Sequence, residues 1–385
     1  MICGDWELDG DLIPQLTKLP TLNHSRQAMA GLIFADDSDF TVAWVHQQWL
    51  LRSRASLGHD LAYDDTLRKE AIGLIELLWG CRHCKATDPR DHYFGLLGLA
   101  PDVADEPALA ADYLKPFEDV AIEYGCYFIK SGLGLGILYS SNDVETFDEN
   151  IPSWVPNLTH NAILGDRIWT PLETEQKGVS ITLGNADGRS LLVSGCFLDS
   201  VAVLHREKNL ESRDLSRWRD DWIQEIDSLV AGSERYASGQ DMEEAVCRTI
   251  IANTSLDGER PAPAYYYRMY LLCRKSRPFS NDDVMAVEPV EAIQDMELFD
   301  MAVAMLATSR FCVTQSGLFG MVPRDSRAGD MIFTIRGDEQ RAMFVVRKDK
   351  DNAGDGYKWI GHAYVHDMWK VCEYEELAWD IITVD

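Results

Sequence analysis

The sequence has no apolar run approaching the roughly 18 to 20 residues that a membrane-spanning helix needs. Its first ten residues, Met1 to Gly10, are acidic and carry neither the basic flank nor the apolar stretch of a secretory leader. Both absences predict a soluble, cytoplasmic chain. Basic residues are scarce, 36 against 63 acidic ones, for a net charge of -27. Such a surface repels phosphate backbones and anionic headgroups, so nucleic acid and membranes are excluded as expected partners. Internal repeats and low-complexity tracts are missing. So are a P-loop, a G-x-S-x-G elbow and an H-E-x-x-H pair, which removes the chemistries that depend on them. The glycine run Gly132–Gly136 lacks a preceding strand and has the wrong spacing for a dinucleotide loop, so it reads as a flexible helix-helix connection. The nine cysteines form an odd set in mostly apolar surroundings, which fits reduced thiols in the cytosol better than a disulfide framework.

What is present is a large apolar share, 46% of 385 residues, with 11 tryptophans and 14 tyrosines, enough to build a substantial core. Helices are expected within the first 60 residues. From Asp64, Leu67, Ala71, Ile72, Ile75, Leu78 and Trp79 recur at helical spacing, and that helix should end near Gly80. A second helix is predicted over Pro116 to Lys130, stopped by Gly132. Beyond Pro152 the pattern becomes extended, with Val179–Leu183 and Leu191–Cys196 joined by a turn at Asp187-Gly188. An amphipathic helix follows between Leu210 and Val230. Residues 281 to 300, with seven acidic and no basic side chains, predict a solvated acidic surface or loop. From Arg310 onward, Phe311–Thr314, Met331–Ile335, Met343–Arg347 and Tyr357–Val365 alternate with Gly/Asp turns. The expected fold is α+β: a mostly helical region over 1–150, a mixed α+β region over 151–305, and a β-rich region over 306–385 forming a small sheet or partly open barrel.

Three groups of polar residues invite a chemical reading. Cys81-Arg82-His83-Cys84, with His92 nearby, has the spacing of half a zinc site, but no second ligand pair accompanies it, so no metal is expected. His362, Tyr364 and His366 alternate along a strand and so share a face, with Asp367 adjacent. They are the candidate catalytic residues, since imidazole titrates near neutrality and a carboxylate can fix its tautomer. The structural alternative, a satisfied buried histidine, carries more weight. Asp88, Arg90 and Asp91 read as a structural motif. Asp88 would cap a helix begun by Pro89, Asp91 would complement its dipole, and Arg90 would staple the helix to the next layer through an ion pair. No cofactor is expected.

Several segments carry a resemblance. Ala86-Thr87-Asp88-Pro89-Arg90-Asp91-His92-Tyr93-Phe94-Gly95-Leu96-Leu97-Gly98-Leu99-Ala100 resembles the "atDpRDkvyallGLa" block of fungal heterokaryon-incompatibility proteins. Further matches follow in order: Ala111-Asp112-Tyr113, Ile151-Pro152-Ser153-Trp154-Val155-Pro156, Cys247-Arg248-Thr249-Ile250, Arg310 through Pro323, Arg327–Asp330 and Gly361–His366. Cys3-Gly4-Asp5 is similar to the "CGd" that follows that family's first half. The family's TIR-like half, with its "SYxWG", "CINQ" and "W.lQE" segments, is not found in this sequence. Two positions depart from the pattern: Met343–Arg347 where the family has "PfvLRp", and Asp367 where it usually has glycine. The resemblance implies a binding or regulatory component of fungal non-self recognition with a protein partner and without the family's effector chemistry. The alternative is a cofactor-independent cyclase or isomerase of secondary metabolism acting on a small apolar molecule in an aromatic cavity.

Overall fold

In a computed structural model, the described residues are 2–3, 6–7, 73–81, 86–104, 106–141, 150–156, 179–205, 215–231, 236–255, 259–274, 289–304, 306, 309–349 and 356–385. The helices expected within the first 60 residues therefore lie outside the described residues, as do Leu67, Ala71 and Ile72. The chain divides into two compact units, one of Met1–Thr87 with Asp91–Asp105, the other of Asp88–Arg90 with Glu106–Asp385. Among the described residues no helix is long and apolar enough to cross a membrane.

The first unit contains the short antiparallel pair β1 (Ile2–Cys3) and β2 (Trp6–Glu7), helix α1 (Leu74–Gly80) and the one-turn helix α2 (Asp91–Phe94). Helix α1 ends at Gly80, where the periodicity places its stop. Its first amide is held from far along the chain: both carboxylate oxygens of Asp102 accept from the Leu74 N–H at 3.0 Å. A side-chain carboxylate there satisfies an orphan donor and complements the positive end of the helix dipole.

The second unit opens with helix α3 (Phe117–Lys130), whose end is closed by Gly132 at φ 84°. The Leu133 N–H bonds Phe128 O at 2.9 Å and the Gly132 N–H bonds Ile129 O at 3.2 Å, the paired bonds of a Schellman stop. The glycine run is shorter as a connection than expected: Gly134 and Gly136 already belong to the next helix, α4 (Gly134–Ser140). Glycine at 134 has a packing reason, because a Cβ there would sit 3.0 Å from Ile129 Cδ1. The segment Ile151–Pro156 presses Trp154, fully buried, against α3 at Gly125, where a Cβ would lie 2.9 Å from the indole ring.

The hairpin signal at Asp187-Gly188 is realised by β3 (Ile181–Leu183) and β4 (Leu191–Leu204), paired antiparallel. Strand β4 runs well past the predicted Cys196. Helix α5 (Leu215–Val230) buries Trp222 and Ile226 as its amphipathic pattern requires. Helices α6 (Met242–Ile250), α7 (Ala264–Arg274) and α8 (Pro289–Ala304) follow. Helix α8 corrects the reading of residues 281–300. From Pro289 on, this acidic stretch is helical, with Phe299 fully buried and Asp300 ion-paired to Arg219; residues 281–288 lie outside the described residues. A proline at the first position suits a helix start, and apolar residues at helical spacing outweigh the charge.

The C-terminal strands are β5 (Arg310–Thr314), β6 (Phe319–Val322), β7 (Met331–Ile335), β8 (Met343–Lys348), β9 (Gly356–Val365) and β10 (Asp380–Val384), with a one-turn helix α9 (Met368–Val371) between the last two. With β3 and β4 they form one eight-stranded sheet, antiparallel except where β10 meets β9. Pairings run β4–β5–β6–β9–β8–β7 and return to β4. The circuit is not a clean barrel, because β4 uses Gly195–Ser200 for β7 and Val201–Leu204 for β5, with register shifts in both stretches. Bulges of this kind bend a strand sharply enough to serve two neighbours. The fold is α+β, as the sequence predicts. Helices α5 to α8 share a core with the sheet, including Trp222, Tyr266, Tyr270, Phe299, Phe311 and Val365.

Candidate functional site

Over its last residues strand β9 alternates: Ala363 and Val365 enter the core shared with the helices, while His362 and Tyr364 keep part of their surface open. A register shift opposite Val345 and Val346 breaks the alternation upstream, so that Ile360 reaches the same core. At the strand's end the row of polar residues closes on itself. The Tyr364 hydroxyl lies 2.8 Å from His366 Nδ1, and His366 Nε2 lies 2.8 Å from Gln240 Oε1. An amide carbonyl only accepts, so this arrangement puts the imidazole proton on Nε2 and leaves Nδ1 to accept from the tyrosine. His366 is 2% exposed, and its backbone is gripped as well: its N–H donates to Phe319 O at 2.8 Å and its O accepts from the Tyr236 hydroxyl at 2.7 Å. Burial drives its pKa down to about 4, against the pull of the Asp367 charge.

Asp367 does not act as the histidine's partner. Its Oδ1 is 3.6 Å from His366 Nε2, whereas Ser238 Oγ donates to Oδ2 at 2.6 Å and Lys370 Nζ approaches Oδ1 at 2.8 Å. Its pKa falls: burial would raise it, but bonds from Lys370 and Ser238 and the nearby His366 prevail. The residue stands in the left-handed region at φ 58°, which glycine adopts freely and aspartate tolerates.

His362 lies farther down the strand in a different setting. Its ring centroid is 5.0 Å from that of Tyr139 on α4 and 5.6 Å from that of Phe344 on β8. Helix α4 is fixed there by the Trp359 indole, which donates to Leu138 O at 3.0 Å. Burial, then the positive charge of Arg260, lowers the His362 pKa to about 3, so it is a neutral imidazole at physiological pH. Arg260 comes from the loop between α6 and α7, and its Nε donates to Thr254 Oγ1 at 2.8 Å. That loop is anchored by Arg248, which reaches Glu244, Asn253 Oδ1 at 3.2 Å, and the Ala262 carbonyl.

Asp88 and Arg90 bind each other and the loop that follows. Asp88 accepts from the Arg90 N–H at 3.0 Å and from its guanidinium at 2.9 and 2.6 Å, while the same guanidinium donates to Tyr113 O and Lys115 O at 2.6 and 2.8 Å. These bonds hold the Asp88 carboxyl down at about 2. Arg90 thus fastens the Tyr113–Lys115 segment through its carbonyls and is itself held by a local carboxylate. Asp91 occupies the first turn of α2. Of the cysteine pair, Cys81 is buried, and Arg82, His83 and Cys84 lie outside the described residues. Among the described residues no three His, Cys, Asp or Glu side chains stand together as a metal site.

The structure therefore joins Tyr364 to His366 directly, sets His362 in a separate aromatic environment, and gives Asp88 and Arg90 partners distinct from these. Sequence reasoning missed Tyr139, Tyr236, Gln240 and Arg260, each far from β9 in the chain and without a motif of its own. In comparisons with known proteins, no family model matches the sequence, and neither does any curated protein or solved structure.

Proposed function

We propose that this chain is a non-catalytic recognition module of the heterokaryon-incompatibility type, a cytoplasmic binding or regulatory component of fungal non-self recognition that acts through a protein partner. One observation carries the reading. Both ring nitrogens of His366, the candidate acid-base residue, are taken by Tyr364 and Gln240 inside the fold. A general base must reach a substrate proton and titrate near the working pH, and His366, 2% exposed and with its pKa at about 4, does neither. The other motif residues support the reading in the same way. Arg90 serves loop carbonyls, and the Ser153 hydroxyl of the Ile151–Pro156 segment accepts from the Trp359 N–H at 2.8 Å and donates to Asp385 O. A net charge of -27 suits a partner with a basic face and steers its approach.

The test is reconstitution in trans. The purified chain is mixed with a recombinant TIR-like half of a heterokaryon-incompatibility protein and followed by sedimentation velocity at low and moderate salt. Association at micromolar concentrations that weakens with salt is the expected result. No complex at about 100 μM, where a Kd below 1 mM is still visible, overturns the proposal. Release of nicotinamide from NAD by the highly purified chain alone overturns it as well.

A further inference from the structure

The surface between α9 and β10 combines rings, exposed aliphatic side chains and charge of one sign. Trp369, Tyr374 and Trp379 form a row with centroids 5.7 and 5.1 Å apart, each pair edge to face, and all three keep part of their surface open. The row is held in place. The Trp369 indole donates to Arg341 O at 3.1 Å, the Gly337 N–H donates to the Tyr374 hydroxyl at 3.3 Å, and the Arg341 guanidinium lies 4.6 Å from the Tyr374 centroid. Val371, at the end of α9, is 50% exposed, and Ile381, two residues beyond Trp379, is 63% exposed. Ile382 and Val384 turn into the core, which puts Ile381 on the outer face of β10. The register sets Ile381 opposite Ser194 and Thr383 opposite Leu192, so the exposed Leu192 is its diagonal neighbour on that face. Residues 371–381 hold Glu373, Glu375, Glu376 and Asp380 and no basic side chain. The adjoining cations are already matched, Arg341 by Glu375 at 3.3 Å and Lys370 by Asp367 at 2.8 Å. Glu373 and Glu376 are exposed and form no ion pair among the described residues.

We propose that this ring row, flanked by Val371 and Ile381 and rimmed by Glu373 and Glu376, docks a short basic segment of a partner protein that carries apolar side chains. The parts divide the work by their chemistry. Rigid aromatic rings supply contact area at little entropic cost and are the residue types that dominate binding hot spots. The exposed aliphatic side chains gain by being covered with apolar groups of the partner. The unmatched carboxylates fix the sign of the partner: they form charge-assisted bonds with arginine or lysine and repel acidic segments. An arginine of that segment also stacks favourably on an indole face. The inference deepens the binding-module reading above and rests on it for the partner's being a protein.

The test follows fluorescein-labelled peptides of about twelve residues by anisotropy as the full chain is added, at about 0.15 M ionic strength, where the general pull of an acidic surface is screened beyond roughly 8 Å. A peptide alternating arginine and leucine should bind with a Kd below about 100 μM, and its arginine–serine and glutamate–leucine matches at least tenfold more weakly. Glu373→Lys with Glu376→Lys should weaken the arginine–leucine peptide at least tenfold. Asp119→Lys with Asp221→Lys, an equal change of charge at exposed positions elsewhere, should weaken it less than about threefold. Val371→Ser with Ile381→Ser should weaken it about fivefold. All six side chains are exposed, so the thermal midpoints should stay near the native value. The proposal is overturned by the absence of arginine–leucine binding at about 1 mM, by equal binding of the arginine–serine match, by equal weakening from the two charge pairs, or by full affinity in Val371→Ser with Ile381→Ser. The TIR-like half then separates this inference from the reading beneath it. Association with that half that survives Glu373→Lys with Glu376→Lys overturns the surface and keeps the module, whereas peptide binding without any such association keeps the surface and removes the module.

Discussion

Replacing His366 by glutamine separates a structural histidine from a catalytic one, and the expected size follows from its surroundings. In the unfolded chain the imidazole titrates near its ordinary 6.5, while in the fold burial holds it at about 4. The folded pKa is the lower one, so the fold disfavours the protonated form. The stabilisation is complete above pH 6.5 and is lost as pH falls from there toward the folded value. Integrating between these two pKa values gives a loss of about 2 kcal/mol between roughly pH 7.5 and pH 5, specific to this residue. Protonation would also break the Tyr364 bond, because a charged imidazole donates from both nitrogens and Nδ1 could no longer accept.

Other groups titrate over the same range, so the useful quantity is the difference between two curves. Urea unfolding of the native protein and of His366→Gln at half-unit pH steps supplies it. Glutamine cannot protonate, and the carboxylates contribute almost equally to both proteins. The gap between the two stability curves should therefore shift by about 2 kcal/mol in favour of the variant as pH falls to about 5. Parallel curves across that range would refute the buried neutral imidazole. They would return His366 to the list of groups able to do acid-base work.

Three further outcomes follow from the packing. Asp330, 3% exposed, accepts from Arg347 at 2.7 and 2.8 Å and from the Arg327 N–H at 2.7 Å. Removing either partner alone should cost about 3 kcal/mol in denaturant unfolding, and the double replacement Asp330→Leu with Arg347→Met much less than the sum. Gly125→Ala forces a Cβ into the Trp154 ring, now 2.9 Å away. A loss of about 1–3 kcal/mol should lower the thermal midpoint. Arg90→Met frees the Tyr113 and Lys115 carbonyls, so amide exchange should quicken over the adjoining loop while the sheet's protected amides keep their rates.

The fold was legible wherever a local rule sufficed. Asp187-Gly188 gave its hairpin, the Gly132 stop gave a complete Schellman end, and the strands Met331–Ile335 and Tyr357–Val365 lie within a residue of their predicted bounds. What escaped was decided at long range. The four-residue strand β6, Phe319–Val322, has no alternation because every residue in it is buried, and β10 pairs with a strand almost two hundred residues earlier. The acidic stretch before Ala304 misled because charge counting ignores which positions face inward. At Arg90 the sequence offers no local rule for the partners: the guanidinium pairs with Asp88 two residues away and donates to the carbonyls of Tyr113 and Lys115.

His362 and His366 show why a motif alone could not divide structure from chemistry. They are four residues apart, one on β9 and one just past its end, identical in type, and a sequence reader must give them the same prior. Their difference comes from residues brought in by other elements, most of them a hundred or more positions away. Tyr236 and Gln240 arrive at His366 and occupy its last contacts, whereas at His362 the neighbours Tyr139 and Phe344 present rings. A polar group surrounded by matched donors and acceptors is spent on the fold. The distant chain segments, more than the histidines themselves, determine what each of these positions contributes to the fold.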